Sequence, residues 1–396
     1  MKSLKFLLLL LFLGTGNILQ AQELSEIRKR FESLENKQSD LVVTAYEKKD
    51  YATSEKSCLT VLEQYATLPT SLQTHYRWVA QNYSYMAACI QSLQGKKAEA
   101  IDHLQQAYEA GFQEYAHILK DTDLDNLREE PRFQALLAKI KEVGDYPYIL
   151  KQAPTYVPNT RTDTLPAFTY PNADTPYLQK VRQYFRLDSV AGKGDELSKI
   201  KYVLTYIHNT IKHDGAHENP AGGDVTQWAE ACKDGSRGLN CGGLAHVLTQ
   251  CYLALGIPTR TIACMPKLYV GECHSINAVY SRTLGRWIWI DPTNNAWVMD
   301  EQGNLLGQRE VRERLRDNRP LILNKEANWN NQKSITKEYY LDEYMAKNLY
   351  CFIYTSGDKT ILLAPPGFTD SKAYPGRMDY IVQDDDWFWQ SPYPEH

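Results

Sequence analysis

From about residue 23 to residue 143 the apolar positions recur at helical spacing, and Gly and Pro are scarce. Ile27, Phe31 and Leu34 mark one stripe, and Cys58, Val61, Leu62 and Tyr65 mark a later one. Steps of three and four residues predict helices throughout this stretch. Between residues 144 and 176 the pattern breaks into Pro, Thr and Tyr, with Pro147, Pro154, Pro158, Pro166, Pro171 and Pro176. Proline at this frequency removes backbone donors and favours an extended path, so the segment reads as a linker. Its many tyrosines suggest that part of it lies on the domain that follows. Helical spacing returns over 177–185 and 195–213, where Leu197, Ile200, Val203, Leu204 and Ile207 share one face. A further helix runs from Cys241 to about Leu255 and is stopped by Gly256 and Pro258. Strand-like segments follow at 259–264, 274–281 and 286–290, the last two joined by a turn near 282–285. The tail from Glu338 adds a helix and strands near 351–354 and 360–363, and closes on Trp387, Phe388 and Trp389. Helices first and strands later predict an α+β domain with an antiparallel sheet, preceded by an all-α region.

Within the helical region, Ala88, Gly95, Ala100, Leu104 and Ala107 fall where a tetratricopeptide repeat places its contact residues. The segment 123–133 resembles the cap that follows such repeats. Small residues at those positions let paired helices approach, and helical repeats present binding surfaces. A plain helical bundle is the alternative.

Composition narrows the class. Over 396 residues the formal net charge is −4, with no basic stripe, which excludes a nucleic-acid binder. Lys2 and Lys5, the apolar run from Phe6 to Leu13 and the small-residue site Leu19-Gln20-Ala21 read as an export signal over residues 1–21. The apolar run is too short to span a bilayer, so a mature chain starting near Gln22 is expected in the periplasm or secreted, with no membrane span. Eight Cys lack any Cys-x-x-Cys pair, so no metal site is expected. A bridge between Cys264 and Cys273 and a fully reduced chain are both open.

Candidate chemistry concentrates in three residues. Asn240 suits an N-cap, which places Cys241 in the first turn of its helix, where the dipole and free N–H groups favour a thiolate. Gly242 and Gly243 cost helix propensity of about 1 kcal/mol each, which suggests a close approach at that point. His274 and Asp291 flank a turn. A hairpin centred between Arg282 and Thr283 would set them opposite one another. A thiol nucleophile needs a base within reach, and the base needs an acceptor to fix its tautomer. His246 is a rival base; His208, His213 and His217 read as residues of the loop approach only.

The runs Asn240-Cys241-Gly242-Gly243-Leu244-Ala245, Leu253 to Arg260, His274 with Asn277, and Trp287 to Thr293 resemble the transglutaminase-like superfamily. The resemblance implies a papain-like fold, with Cys241 as nucleophile, His274 as base and Asp291 as the orienting acid. The Cys241 N–H is the natural first oxyanion donor, with Asn240, Gln227 and Trp228 as side-chain candidates. Gly242, Gly243 and Ile276 are candidates for the substrate wall. Many relatives carry Trp where this chain has Ile276. The expected organisation is a signal at 1–21, a tetratricopeptide-like domain at 23–143, a linker at 144–176, a catalytic core at 177–330 and an extension at 331–396 that completes the sheet. The expected function is an exported cysteine peptidase or amidase that acts through a thioester and needs no cofactor. Peptide or protein would be the substrate, cell-wall peptide included, and the helical domain could hold a protein partner. A cross-linking transamidase and a non-catalytic binding protein are the alternatives.

Overall fold

The computed structural model describes residues 2–158, 165–269 and 271–393; of residues 2–21 only the backbone is described. The export signal therefore lies outside the residues with described side chains. No helix of the described residues is long and apolar enough to cross a membrane. The chain divides into two compact units, residues 1–145 and 146–396.

The first unit is helical, as its spacing predicts. Ala88, Ala100, Leu104 and Ala107 are fully buried where the helices Arg77–Leu93 and Lys97–Glu109 pack together. Gly95 takes φ +76° in the turn between them, a conformation that glycine adopts without steric cost. Residues 122–127 form a 3-10 turn, and Pro131 opens the next helix, Pro131–Gly144.

The second unit begins with a correction. Residues 146–152, expected as extended linker, form a helix whose Ile149 and Leu150 are buried in the main core. Pro147 is compatible because it lies in the first turn, where no intrahelical donor is lost. Farther on, Leu165, Phe168 and Tyr170 also pack on that core, and Val157 N–H bonds the Gln383 carbonyl. Residues 159–164 lie outside the described residues.

Among the described residues ten strands follow in chain order: β1 Thr259–Met265, β2 His274–Ser281, β3 Arg286–Ile290, β4 Val298–Met299 and β5 Ile322–Leu323. Then come β6 Asn328–Trp329, β7 Lys333–Ser334, β8 Cys351–Ser356, β9 Lys359–Leu363 and β10 Tyr380–Val382. Six form one sheet in the order β10-β9-β8-β1-β2-β3, antiparallel except for the β9–β10 pair. The C-terminal residues thus supply half of its strands. One face of the sheet carries the helices Pro176–Tyr184, Glu196–Thr210 and Cys241–Ala254. The opposite face carries residues 146–152, 308–316 and 338–349. Covered on both faces, β2 is buried along its whole length.

A polar ladder joins the Cys241 helix to the sheet. Asn277 Nδ2 donates to Ala245 O and to Thr249 Oγ1, both at 2.8 Å, and Thr249 bonds Thr261 at 2.7 Å. Such buried bonds fix the helix register against β2 in a way that apolar packing alone does not. On the other face, Arg260 is completely buried, with its guanidinium 4.1 Å from the Phe168 ring centre and 4.3 Å from that of Trp287. It donates to Tyr170 Oη and to the Phe388 carbonyl, so one cation ties the linker and the C-terminal tail to β1.

Candidate active site

Cys241 is the first residue of its helix, and Asn240 is the N-cap, with Oδ1 accepting from Gly243 N at 3.0 Å. Asn240 is itself clamped by Asn219, which donates to its Oδ1 at 2.8 Å and accepts from its backbone N–H at 3.1 Å. This explains one glycine. A Cβ on Gly243 would lie 2.5 Å from Asn219 Oδ1, so the close approach there is by this side chain. A Cβ on Gly242 would meet nothing nearer than Asn240 Oδ1 at 3.3 Å.

His274 opens β2, is buried, and directs Nε2 to Asp291 Oδ2 at 2.8 Å. The other ring nitrogen is left for the Cys241 sulfur. The hairpin is centred between Thr283 and Leu284, one position later than expected, because Asn277 pairs with Ile290 and Ser281 with Arg286. His274 and Asp291 are therefore diagonal rather than opposite. The parity is unchanged, so both still use the same face of the sheet.

Asp291 is fully buried yet well supplied with donors. Oδ2 accepts from His274, from Tyr340 Oη at 2.6 Å and from Asn294 Nδ2 at 2.9 Å; Oδ1 accepts from Thr293 N at 2.8 Å. The Asp-Pro-Thr segment is thus a turn whose own N–H groups hold the carboxylate. Burial works against ionisation, but the His274 charge and these hydrogen bonds outweigh it and hold Asp291 below the usual carboxylate range. Burial also disfavours the His274 cation, and the Asp291 charge and the Cys241 contact override it and push His274 up. At Cys241 burial opposes the thiolate, while hydrogen bonds from His213 and His274, the His274 charge and the Ser275 N–H bring the thiol down. The site is built to hold a thiolate–imidazolium pair.

Several of its groups escaped the sequence reading. Tyr340 and Tyr344 belong to a π-helical segment, Glu338–Met345, in the C-terminal extension. Trp289 Nε1 donates to Tyr340 Oη at 3.1 Å, and the Tyr344 ring meets His274 edge-on at 5.2 Å. Loop histidines are corrected too. His208 is buried and bonds Pro292 O and Asn328 Oδ1, both at 2.9 Å, while His213 reaches the Cys241 sulfur. His217 pairs with Asp214 at 2.7 Å. The signal for His213 was weak: a basic residue before Asp214 at the end of a helix.

The remaining candidates fall elsewhere. Gln227 is exposed, and Trp228 is buried against His246 at 5.4 Å between ring centres. Asn240 is engaged as the cap. Ile276, expected at the substrate wall, is fully buried in the core cluster with Trp289. All eight cysteines are free, so the Cys264–Cys273 bridge is not formed. Among the described residues, Cys89, Asp121 and Asp123 form one group with metal-ligating spacing and Asp384, Asp385 and Asp386 another; neither includes Cys241.

The family model of the transglutaminase-like superfamily matches residues 184–292, which contain Cys241, His274 and Asp291. The second unit thus carries a transglutaminase-like domain of the α+β type, after an all-helical region. Among solved structures, the chain is similar to one described as a "Putative Cysteine Protease" from Cytophaga hutchinsonii, at 18% identity and a TM-score of 0.24. That match covers 34% of this chain and 43% of the other, so this chain spans under half the length of its solved neighbour. Comparison with curated proteins gives no match.

Proposed function

We propose that the protein is a thiol acyl-transfer enzyme, a cysteine peptidase or amidase that cleaves peptide or protein amides. The half-buried Cys241 beside the buried His274–Asp291 pair carries this reading, because a low thiol and a raised imidazole at one point serve attack and protonation alike. The Cys241 thiolate adds to the amide carbonyl and forms an S–C bond. The His274 imidazolium gives its proton to the departing amine as the C–N bond breaks, which leaves a thioester. Neutral His274 then takes a proton from water, the hydroxide adds to the thioester carbonyl, and the C–S bond breaks to release the carboxylic acid and return the Cys241 thiolate beside the His274 imidazolium. No calcium-loop pattern of spaced carboxylates is present in the sequence, and this inclines the reading to water over an amine as acceptor.

The export signal read from the sequence over residues 1–21 supports a location outside the cytoplasm, where cell-wall peptides join proteins as candidate substrates. The helical unit, with its repeat-like Ala88, Ala100, Leu104 and Ala107 contacts, suits a partner-binding role. Limiting iodoacetamide near neutral pH, followed by mass-spectrometric mapping, tests the nucleophile: Cys241 should label first among the eight cysteines. First labelling of another cysteine in the folded chain overturns the assignment. A screen of peptides and cell-wall fragments, with and without added amine, then separates hydrolysis from transamidation.

A further inference from the structure

His213 pairs with Leu239, two residues before Cys241, which brings its side chain within hydrogen-bonding reach of the thiol, and the reaction above gives it no part. Its position is fixed from two sides. On one, the turn between β6 and β7 grips it. Asn330 Oδ1 accepts from His213 N at 2.7 Å, Asn330 Nδ2 donates to His213 O at 3.0 Å, and Trp329 Nε1 donates to His213 Nδ1 at 3.1 Å. Asn330 and Asn331 both take positive φ, +53° and +57°, which turns the chain tightly enough to present these groups together. On the other side, Asp214 N bonds Leu239 O at 2.8 Å and Leu239 N bonds Lys212 O at 3.1 Å, two residues before the nucleophile.

The Trp329 contact decides the tautomer. An indole N–H only donates, so Nδ1 of His213 must accept and the ring proton resides on Nε2. Nε2 is the nitrogen left for the sulfur, and it can donate there but not remove a proton. His274 has the opposite assignment, since a carboxylate accepts from its Nε2–H. Two imidazoles at one thiol thus have two separate tasks.

We propose that His213 is the side-chain oxyanion donor of this enzyme, its Nε2–H bonding the Cys241 sulfur at rest and the carbonyl oxygen of the tetrahedral intermediate. The proposal rests on Cys241 being the acyl acceptor. When the sulfur pair forms the S–C bond, the carbonyl π pair moves to oxygen, and the donor follows that charge. The backbone N–H of Cys241, for which the described residues supply no partner, is the second donor. Collapse restores the C=O bond and expels the leaving group with its bonding pair. Trp329 is a positioning residue that keeps Nε2 protonated.

Two probes of the same sulfur make the test. Iodoacetamide is displaced without any oxyanion, whereas acylation by p-nitrophenyl acetate passes through one. In the full chain, His213→Ala should lower acylation by about 100-fold, and alkylation of Cys241 by less than about tenfold because His274 still supports the thiolate. His213→Gln, whose side-chain amide can place an N–H near the same point, should recover most of the acylation. Trp329→Phe should lower the ratio of acylation to alkylation by a smaller factor, with an unchanged thermal melt. Acylation and alkylation falling in parallel, or Gln serving no better than Ala, overturns the proposal alone. A wild-type Cys241 that reacts with neither probe removes the thiol reading itself, and this proposal with it.

Discussion

Cys89 is buried and Cys241 half-buried, and both lie within reach of polar side chains, yet their thiols are driven in opposite directions. Cys89 sits in the interior of the helix Arg77–Leu93, with Sγ donating to Asp121 Oδ2 at 3.5 Å. Burial raises its pKa, and the negative charges of Asp121 and Asp123 raise it further. Cys241 suffers the same burial penalty, but two imidazoles and a backbone N–H meet its sulfur at a helix N-terminus. Desolvation is common to the two sites and only the sign of the neighbours differs. A Cys beside carboxylates stays a protonated, weak hydrogen-bond donor, whereas the same side chain beside His274 is driven toward the thiolate, the form that the proposed reaction needs.

The contrast breaks most sharply if its central members are removed. Cys241→Ala should abolish acylation by p-nitrophenyl acetate, and His274→Ala should lower it by about 10³-fold or more, with the double variant little worse than either single one. Stopped-flow release of p-nitrophenolate measures all three. Strictly additive losses would mean that the two residues do not act as a unit. Asp291→Asn comes next, at about 10²–10³-fold in turnover of an amide, because an amide nitrogen facing His274 Nε2 favours the wrong tautomer. A folded variant with normal turnover would reduce Asp291 to a turn residue.

The pH dependence sharpens the comparison directly. Cys241 is held down to about 5 and His274 pushed up to about 10, so the ion pair exists between these limits. Below the lower limit the sulfur is protonated and alkylation fails. Above the upper limit the thiolate persists, but the general acid is lost, so alkylation continues while amide cleavage falls. Across the neutral range Cys241 should alkylate about 100-fold faster than Cys89, whose thiol stays protonated. Mass-spectrometric rates at several pH values decide this; equal rates for the two cysteines would contradict the electrostatic account.

Much of this was legible in the residue pattern, for identifiable reasons. Strands β1, β2 and β3 stand close to their expected limits because Gly256, Pro258 and the turn before Arg286 punctuate strongly apolar runs. Asn240 marks the N-cap that the helix has, and Cys241, His274 and Asp291 are three residues that the fold brings together. Contacts between distant residues were not legible. Tyr340 lies 49 positions from Asp291, and Trp329 lies 116 from His213, so no local periodicity links them. Gly243 stands out in the sequence by its low helix propensity, but only the folded chain reveals Asn219 in the space beside it.

That glycine yields a smaller prediction. In Gly243→Ala the new methyl would overlap Asn219, forcing either its displacement from Asn240 or a shift of the first helical turn. The loss should be about 1–3 kcal/mol of stability, as for other overpacked sites. It should come with slower alkylation of Cys241, because the cap that orients the helix start is loosened. Paired thermal melts and alkylation rates test it, and a neutral Gly243→Ala would mean that Asn219 moves without cost.

The smallest expected effect comes from Tyr340. Its hydroxyl is one of three donors on Asp291 Oδ2, beside His274 and Asn294, and it is held in place by the Trp289 indole. Tyr340→Phe deletes one neutral donor to a buried carboxylate and leaves the ring packing unchanged. A single bond to a charged group contributes about 1.5–3 kcal/mol in isolation. Here the two remaining donors and the backbone N–H of Thr293 share the charge, which reduces the cost. Asp291 should then draw more strongly on His274, so the thiolate is retained and alkylation of Cys241 changes little. Amide turnover should fall by about three- to tenfold, since a less restrained carboxylate holds the imidazole less firmly for proton delivery. A fall as large as that of Asp291→Asn would instead make Tyr340 an equal partner of the site. No change at all would leave the π-helical segment a packing element only.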